Sequence, residues 1–386
     1  MTRAFVIRDR ILFAAEGPVQ LMPIEHTNIA STSAASAEQK EPLFIRACRR
    51  EQTERTPIWL MRQAGRFQAE YRAIREKVSF LELCGKPELA AQVTVFAVEQ
   101  LQVDAAIIFA DILLPLVPLG VGLKFERGDG PVIERPIQCA ADVERLNRFD
   151  VATELGYVME SIKLVVKELK VDLPLIGFAG AAFTLASYMI EGGSSRNFEK
   201  TKTFMYTQEA AWHSLMTILA SMTVNYLNAQ IAAGARAVQL FDSWVGCLSP
   251  YDYRHYVAPH MKATIDGITP GVPVINFGTG TATLLDSMKS VGGCVMGLDW
   301  RCELGQTWDA LGNVAVQGNL DPVILLSEPA QIRVQVERII KEAAGRPGHI
   351  FNLGHGILPP TPVGNVKYLV ELVKELTSNS PDSVHV

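Results

Sequence analysis

From residue 57 onward one pattern recurs along the chain. A short apolar run, rich in β-branched residues, ends in a polar or glycine-containing turn. Eight such runs occur: PIWLM (57–61), AAIIFA (105–110), LPLIGFA (173–179), AVQLF (237–241), PVINF (273–277), CVMGL (294–298), VAVQG (314–318) and HIFNL (349–353). Nearly continuous apolar runs suit parallel strands covered on both faces, because a strand with one wet face would alternate with polar residues. Between the runs lie segments with helical periodicity, among them PELAAQVTVFAVEQL, ATELGYVMESIKLVVKEL and PAQIRVQVERIIKEA. The spacers 112–172 and 180–235 have room for more than one helix each.

Eight β-runs alternating with helices predict an α/β fold, a somewhat distorted (β/α)8 TIM barrel in a single domain over residues 41–380. An open, doubly wound sheet is the alternative, since six or seven true strands fit it as well. The stretch LKFERGDGPVIERPI (123–137) predicts a hairpin inserted after the second strand, with GDG as its turn. The small, polar stretch HTNIASTSAASAEQKE (26–41) predicts a linker, so residues 1–40 are expected to be a flexible extension dispensable to the fold and 381–386 a short tail. Met22 stands just before this linker and is a candidate for the true start.

Bulk composition narrows the class. Of 386 residues 48% are hydrophobic and 20% charged, which suits a large core. A net charge of −5 lacks the basic surplus of a nucleic-acid binder. No run is apolar for long enough to cross a membrane, and Arg8, Asp9 and Arg10 interrupt the apolar start, so neither a spanning helix nor a signal peptide is expected and the location is read as cytoplasmic. The six cysteines (48, 84, 139, 247, 294, 302) form no CxxC pair and read as reduced thiols without a zinc site.

Polar groups collect where the runs end. In a barrel these positions line one mouth, and active sites sit there. After the first run comes Arg62-Gln63-Ala64-Gly65-Arg66, and after the second Asp111. The third is followed by GAAFT and, further on, SYMIEGG; the fourth by Asp242 and Ser243; the fifth by GTGT. Asp299 and Trp300, then Asn319 and Asp321, then Gly354-His355-Gly356 follow the last three. Arg62 and Arg66 are four apart and share a face if a helical turn starts there. Guanidinium groups hold carboxylates or phosphates in bidentate fashion; pairing with Asp111 or Asp242 is the structural alternative. Asp111 is either a helix N-cap or a fixed anion facing a pocket, kept ionised by Arg62. His355 is a structural histidine or a ligand contact, with flanking glycines that let backbone approach closely. GTGTAT (278–283) lacks the third glycine of a dinucleotide fingerprint and reads as a plain βα loop.

Taken together, WLMRQAGRFQAEYR, IIFADILL, SYMIEGG, LFDSWVG and FNLGHGI resemble the uroporphyrinogen decarboxylase family, in that order, over roughly residues 42–380; FDSW resembles its bacterial branch. One departure lies in GRFQAEYR, where the family has Tyr followed by Leu-Pro or Met-Pro and this chain has Phe67, Gln68 and Ala69. The resemblance implies removal of carbon dioxide from the four acetate arms of a flexible cyclic tetrapyrrole that carries eight carboxylates. It implies coproporphyrinogen as product, no metal or organic cofactor, and a homodimer whose two mouths face each other. Residue by residue, it implies that Asp111 sits under the macrocycle as a stabilising carboxylate and that Arg62 and Arg66 hold substrate carboxylates, Arg62 being also a candidate in proton transfer. Tyr188, Ser243 and His355 match substrate contacts, Tyr188 with a catalytic part, and Gln63, Ala64 and Gly65 complete the binding loop. Three rivals are a corrinoid-dependent methyltransferase of the same superfamily, a non-catalytic tetrapyrrole-binding protein and a phosphate-binding barrel enzyme. The first needs Cys and His zinc ligands, which have no counterpart around Cys247, Cys294 and Cys302.

Overall fold

The computed structural model describes residues 40–126 and 130–378. The expected N-terminal extension and its linker up to residue 39, the tail 381–386, and residues 127–129 within the hairpin lie outside them. Seven parallel strands form one sheet: β1 (Ala106–Ile107), β4 (Leu175–Gly180), β5 (Ala237–Asp242), β6 (Val274–Gly278), β7 (Val295–Gly297), β8 (Ala315–Gln317) and β9 (His349–Ile350). They stand in the order β1-β4-β5-β6-β7-β8-β9 with no reversal. An open doubly wound sheet needs a switch point where strand order reverses; this sheet has none, which removes that alternative. Between β1 and β4 lies the predicted hairpin, β2 (Leu123–Glu126) antiparallel to β3 (Gly130–Ile133).

The first apolar run does not form a strand. Pro57 has no N–H to give a ladder, and the chain turns sharply after Met61, where Arg62 adopts a left-handed φ of 60°. What remains is one parallel bridge, Ile58 to Phe351. Its backbone bonds nevertheless reach both edges of the sheet. Phe351 N–H donates to Pro57 O (2.8 Å) and Trp59 N–H to Phe351 O (3.3 Å), while Asp104 N–H donates to Ile58 O (2.8 Å). The segment thus stands between β9 and β1, where an eighth strand belongs.

Side chains inside the barrel reinforce this thin closure. Trp59 Nε1 donates to Gln317 Oε1 (2.9 Å), Gln317 Nε2 to Gln239 Oε1 (2.9 Å), and Gln239 Nε2 reaches Met61 Sδ (3.5 Å). All four side chains are buried. Toward the mouth the fill becomes aromatic: Phe178, Phe241 and Phe277 meet edge to face at 5.5 and 5.8 Å.

Helices cover the outside. Pro87–Leu101 and Pro329–Ala343 coincide with their predicted segments. The third predicted segment is two helices, Val151–Glu154 and Gly156–Glu168, separated at Leu155. The spacer 180–235 carries three: Ala182–Glu191, Glu199–Thr207 and Glu209–Ala233.

Truncating Gln317 to Ala leaves the buried Trp59 N–H and the Gln239 carbonyl without their partner. Each such orphan costs about 1–3 kcal/mol, so urea unfolding of Gln317→Ala is expected to show a loss of about 2–5 kcal/mol. A loss under about 1 kcal/mol would show that the ladder does not secure the closure.

Candidate active site

The turn after Met61 is fixed by the far end of the chain. Met61 N–H donates to Asn352 Oδ1 (3.1 Å), and Met61 O accepts from Ile357 N–H (2.9 Å). The glycines around His355 serve this packing rather than ligand approach. A Cβ on Gly354 would lie 2.5 Å from Trp300 N, and one on Gly356 would collide with the Arg62 side chain. The loops RQAGR and NLGHG are therefore interlocked, with Arg62 laid across Gly356.

No helical turn begins at Arg62. Residues 61–68 are turns and bends, and the helix starts at Ala69. The four-residue spacing of Arg62 and Arg66 therefore does not place them on one helix face. Both side chains are exposed, and among the described residues neither forms an ion pair or a side-chain hydrogen bond, so the alternative of pairing with Asp111 or Asp242 fails. The third arginine of the stretch is architectural: Arg72 Nη1 donates to Arg66 O (2.8 Å) and Phe67 O (3.0 Å). Gln63 is architectural too. It is buried, Leu60 N–H donates to its Oε1 (3.3 Å), and its Nε2 donates to Ala105 O (3.3 Å). Its own N–H is spent on Leu60 O (3.0 Å). Gly65 gives its N–H to Gln68 Oε1 (2.9 Å), and Gln68 is held by Gln100 (3.0 Å). The unusual Gln68 is thus an internal latch on the arginine loop. Ala64 packs on the small apolar cluster of Tyr71, Leu83 and Val93.

Arg62, Asp111, Tyr188 and His355 share one electrostatic neighbourhood. Asp111 follows β1 and is half-buried. Its Oδ1 accepts Leu113 N–H (2.8 Å), a local turn that partly fulfils the capping alternative. Its Oδ2 accepts no hydrogen bond from the described residues. Burial pushes its pKa above the ordinary carboxylate value, against the Leu113 N–H and the Arg62 charge. Burial is the larger influence on the direction of this shift, while the Arg62 charge favours the ionised form, as expected. Tyr188, in the Ala182–Glu191 helix, is pushed up to about 12 by burial and then by the Asp111 charge, so its phenol stays a donor. His355 is lowered to about 4 by burial and then by Arg62, with Arg301 adding to it, and is a neutral imidazole at neutral pH. Arg66 lies further out on its loop, where its charge reaches Tyr71. Ser243 follows β5, half-buried, its carbonyl taken by the Thr279 hydroxyl.

Several rim residues turn out to be scaffolding. Asp299 accepts Gly280 N–H (2.5 Å) and pairs with Arg301 (2.5 Å). Asn319 Nδ2 donates to Asp299 O (2.9 Å) and Cys302 O (2.8 Å), and Asp321 caps the turn beginning at Pro322. Arg301 itself is a rim cation that the motifs did not single out. It stacks on Trp300 at 4.0 Å, is half exposed, and is felt by His355. Its place directly after the sixth run was the available signal. The histidines, unpaired along the sequence, do gather: His213 Nδ1 meets His260 Nε2 at 2.8 Å, and His255 meets Glu209 at 3.0 Å. No group of three or more His, Cys, Asp or Glu among the described residues is arranged to hold a metal ion.

Comparison with known proteins places the chain in a family. Residues 39–376 match the family model "Uroporphyrinogen decarboxylase (URO-D)". The chain belongs to the uroporphyrinogen decarboxylase family. It is 55% identical over 339 residues to the uroporphyrinogen decarboxylase of Koribacter versatilis, covering 87% of this chain and 96% of the relative. It is 54% identical to that of Carboxydothermus hydrogenoformans, with 87% and 97% covered, and 51% identical to that of Thermus thermophilus, with 87% and 98% covered. Among solved structures, a methyltransferase from Methanosarcina mazei superposes with a TM-score of 0.73 over 87% of this chain and 99% of its own, at 17% identity, a likeness of fold. No helix among the described residues is long and apolar enough to cross a membrane.

Asp242 offers a test of the site's supporting layer. It is buried; Oδ1 accepts the Thr184 hydroxyl (2.7 Å), and Oδ2 is buried without a partner among the described residues. Burial pushes its pKa from 3.8 up to about 7, against the Thr184 bonds. A carboxyl raised in the folded state makes the fold most stable below its ordinary pKa and less stable as pH rises toward the raised value, by about 1.4 kcal/mol per unit. Asp242→Asn removes this dependence. Its stability relative to the parent is expected to improve by roughly 2–4 kcal/mol between about pH 4 and about pH 8, read by thermal or urea unfolding. A difference that does not change with pH would contradict the assignment.

Proposed function

We propose that this chain decarboxylates uroporphyrinogen at the mouth formed by the ends of its strands, converting four acetate arms to methyl groups and yielding coproporphyrinogen. The observation that carries the reading is the half-open carboxylate of Asp111, with an oxygen free of hydrogen bonds from the described residues, beside a neutral imidazole, a protonated phenol and the guanidinium groups of Arg62 and Arg66, which have no ion-pair partner among the described residues. A polycarboxylate fits that set. It does not fit the groove of about 540 Å³ on the helix layer, which is lined by Glu70, Glu88, Glu99 and Glu168.

Breaking the bond between an acetate methylene and its carboxylate releases an electron pair that needs a sink. Protonation of the adjacent pyrrole at its α-carbon makes a cation that accepts the pair, so the substrate itself takes the part a cofactor plays elsewhere. The methylene then takes a proton to become methyl, and loss of the α-proton restores the pyrrole. In the proposed arrangement Asp111 lies beneath the ring, takes hydrogen bonds from pyrrole N–H groups and opposes the developing positive charge. Such preorganised partners are worth about 3 kcal/mol each. N–H donors and a cation favour the charged carboxylate, so substrate binding lowers the Asp111 pKa that burial had raised. Arg62, Arg66 and Arg301 hold carboxylates of the arms, and Tyr188, Ser243 and His355 orient the reacting one. The reading includes a homodimer, which sedimentation of the purified protein tests.

Anaerobic incubation with uroporphyrinogen III, with a chelator and no added cofactor, tests the reading. Chromatography of the oxidised porphyrins is expected to show stepwise loss of four carboxyls. A folded protein that removes none would overturn it. With activity in hand, Asp111→Asn is expected to lower kcat by about 10²–10³-fold with KM within a few-fold. Equal losses in binding and turnover would refute the role under the ring. Arg66→Lys gives up the bidentate fork and is expected to raise KM by about tenfold with kcat nearly kept; an unchanged KM would remove Arg66 from the substrate.

A further inference from the structure

Tyr188 does not stand alone in its helix. Its ring stacks on Trp244, with centroids 3.7 Å apart and planes 30° from parallel, and Phe198 closes on the same indole edge-on at 5.2 Å. Trp244 lies just past β5, as the N-cap of the 3-10 turn Val245–Cys247, in a segment that brings no ladder bonds of its own to fix its angle. Its backbone N–H instead donates to Thr184 Oγ1 (3.2 Å). Thr184 is four residues before Tyr188 in the same helix, so both sit on one face. One residue therefore grips the backbone of Trp244 while the next turn of the same helix receives its ring.

The Thr184 hydroxyl has one proton to give. It gives it to Asp242 Oδ1 (2.7 Å), which leaves its lone pairs for the Trp244 N–H. Asp242 itself is buried and turned away from the barrel interior. Side chains alternate along a strand, and Phe241 faces the barrel interior, where it meets Phe178 and Phe277. Asp242 therefore points to the other face, into the layer between the sheet and the Ala182–Glu191 helix, where it is buried. A carboxylate placed there, with one oxygen spent on a hydroxyl and the other unpartnered, does not serve substrate directly. We infer that Thr184, oriented by Asp242, is a positioning residue for Tyr188: it fixes Trp244 so that the indole sets the plane and reach of the phenol. The inference rests on the reading of Tyr188 as a site residue.

Four full-length variants test it: Thr184→Val, Thr184→Ser, Trp244→Phe and Tyr188→Phe, all assayed well below their unfolding temperatures. Trp244→Phe identifies the Trp244 contribution to fluorescence and near-ultraviolet circular dichroism among the five tryptophans. Thr184→Val removes donor and acceptor at constant shape. It is expected to change the Trp244 signal and to lower kcat for decarboxylation by about tenfold with KM within about twofold, the signature of a misplaced group. Thr184→Ser keeps the hydroxyl and is expected to retain most of the parent's kcat and signal. If the valine variant does not fold, Thr184→Ala takes its place with the same expectation. The proposal is overturned if the hydroxyl-free variant keeps parental kcat, or if the valine and serine variants lose it equally, which is a packing effect. If Tyr188→Phe keeps parental kcat while Thr184→Val loses it, Tyr188 is outside the site, and the proposal falls with that reading rather than with the hydrogen bonds.

Discussion

Both backbone groups of Met61 are held by residues almost three hundred positions away, its N–H by Asn352 and its carbonyl by Ile357. The rest of the mouth depends on this clamp. Immediately after it the chain turns through a left-handed residue that is not glycine, Arg62, a conformation that costs on the order of 1–3 kcal/mol and persists only where surroundings over-determine it. The turn sends the guanidinium across Gly356, toward Asp111, Tyr188 and His355. A regular strand would have carried Arg62 along the sheet. The lone bridge that stands in for the eighth strand and the charged group at the mouth thus have one cause, and the polar ladder from Trp59 to Gln239 compensates for the ladder bonds that the turn removes.

Charge is distributed to the same end. The chain as a whole carries −5, and the groove on its helix layer is lined with glutamates. Against that background the mouth keeps Arg62 and Arg66, without ion-pair partners among the described residues, beside a histidine held neutral. Arg72, on the same stretch, is spent on backbone carbonyls, so the division between structural and available cations is made by geometry and not by residue type. A ligand rich in carboxylates meets the available ones without having to break an existing ion pair at Arg62 or Arg66.

The sequence made much of this legible, for identifiable reasons. Buried parallel strands leave apolar runs, so seven of the eight runs appear as strands in chain order. The glycine-rich, polar run ends marked the mouth. What escaped was whatever depends on partners distant in sequence. PIWLM reads as a strand because its composition is that of one; only the turn at Arg62 and the pull of Asn352 make it a bridge. Arg62 and Arg66 look like helix neighbours because a helix does follow, but it begins at Ala69. Gln63 resembles a binding residue by its place in the motif, yet the carbonyl of Ala105 claims its amide. The glycines around His355 read as ligand space, whereas backbone at Trp300 and the Arg62 side chain occupy it. Thr184 and Trp244 stand in the stretches GAAFT and FDSW, but nothing local joins them, since their contact links a helix to the end of a strand sixty residues later.

The central claim is that the spare oxygen of Asp111 lies beneath the macrocycle, facing its pyrrole N–H groups. A crystal structure of the protein grown anaerobically with coproporphyrinogen tests it most directly. The account predicts pyrrole N–H groups within hydrogen-bonding distance of Asp111 Oδ2, with propionate arms on Arg62 and Arg66. A macrocycle bound elsewhere, with Asp111 Oδ2 still lacking a donor, would contradict it.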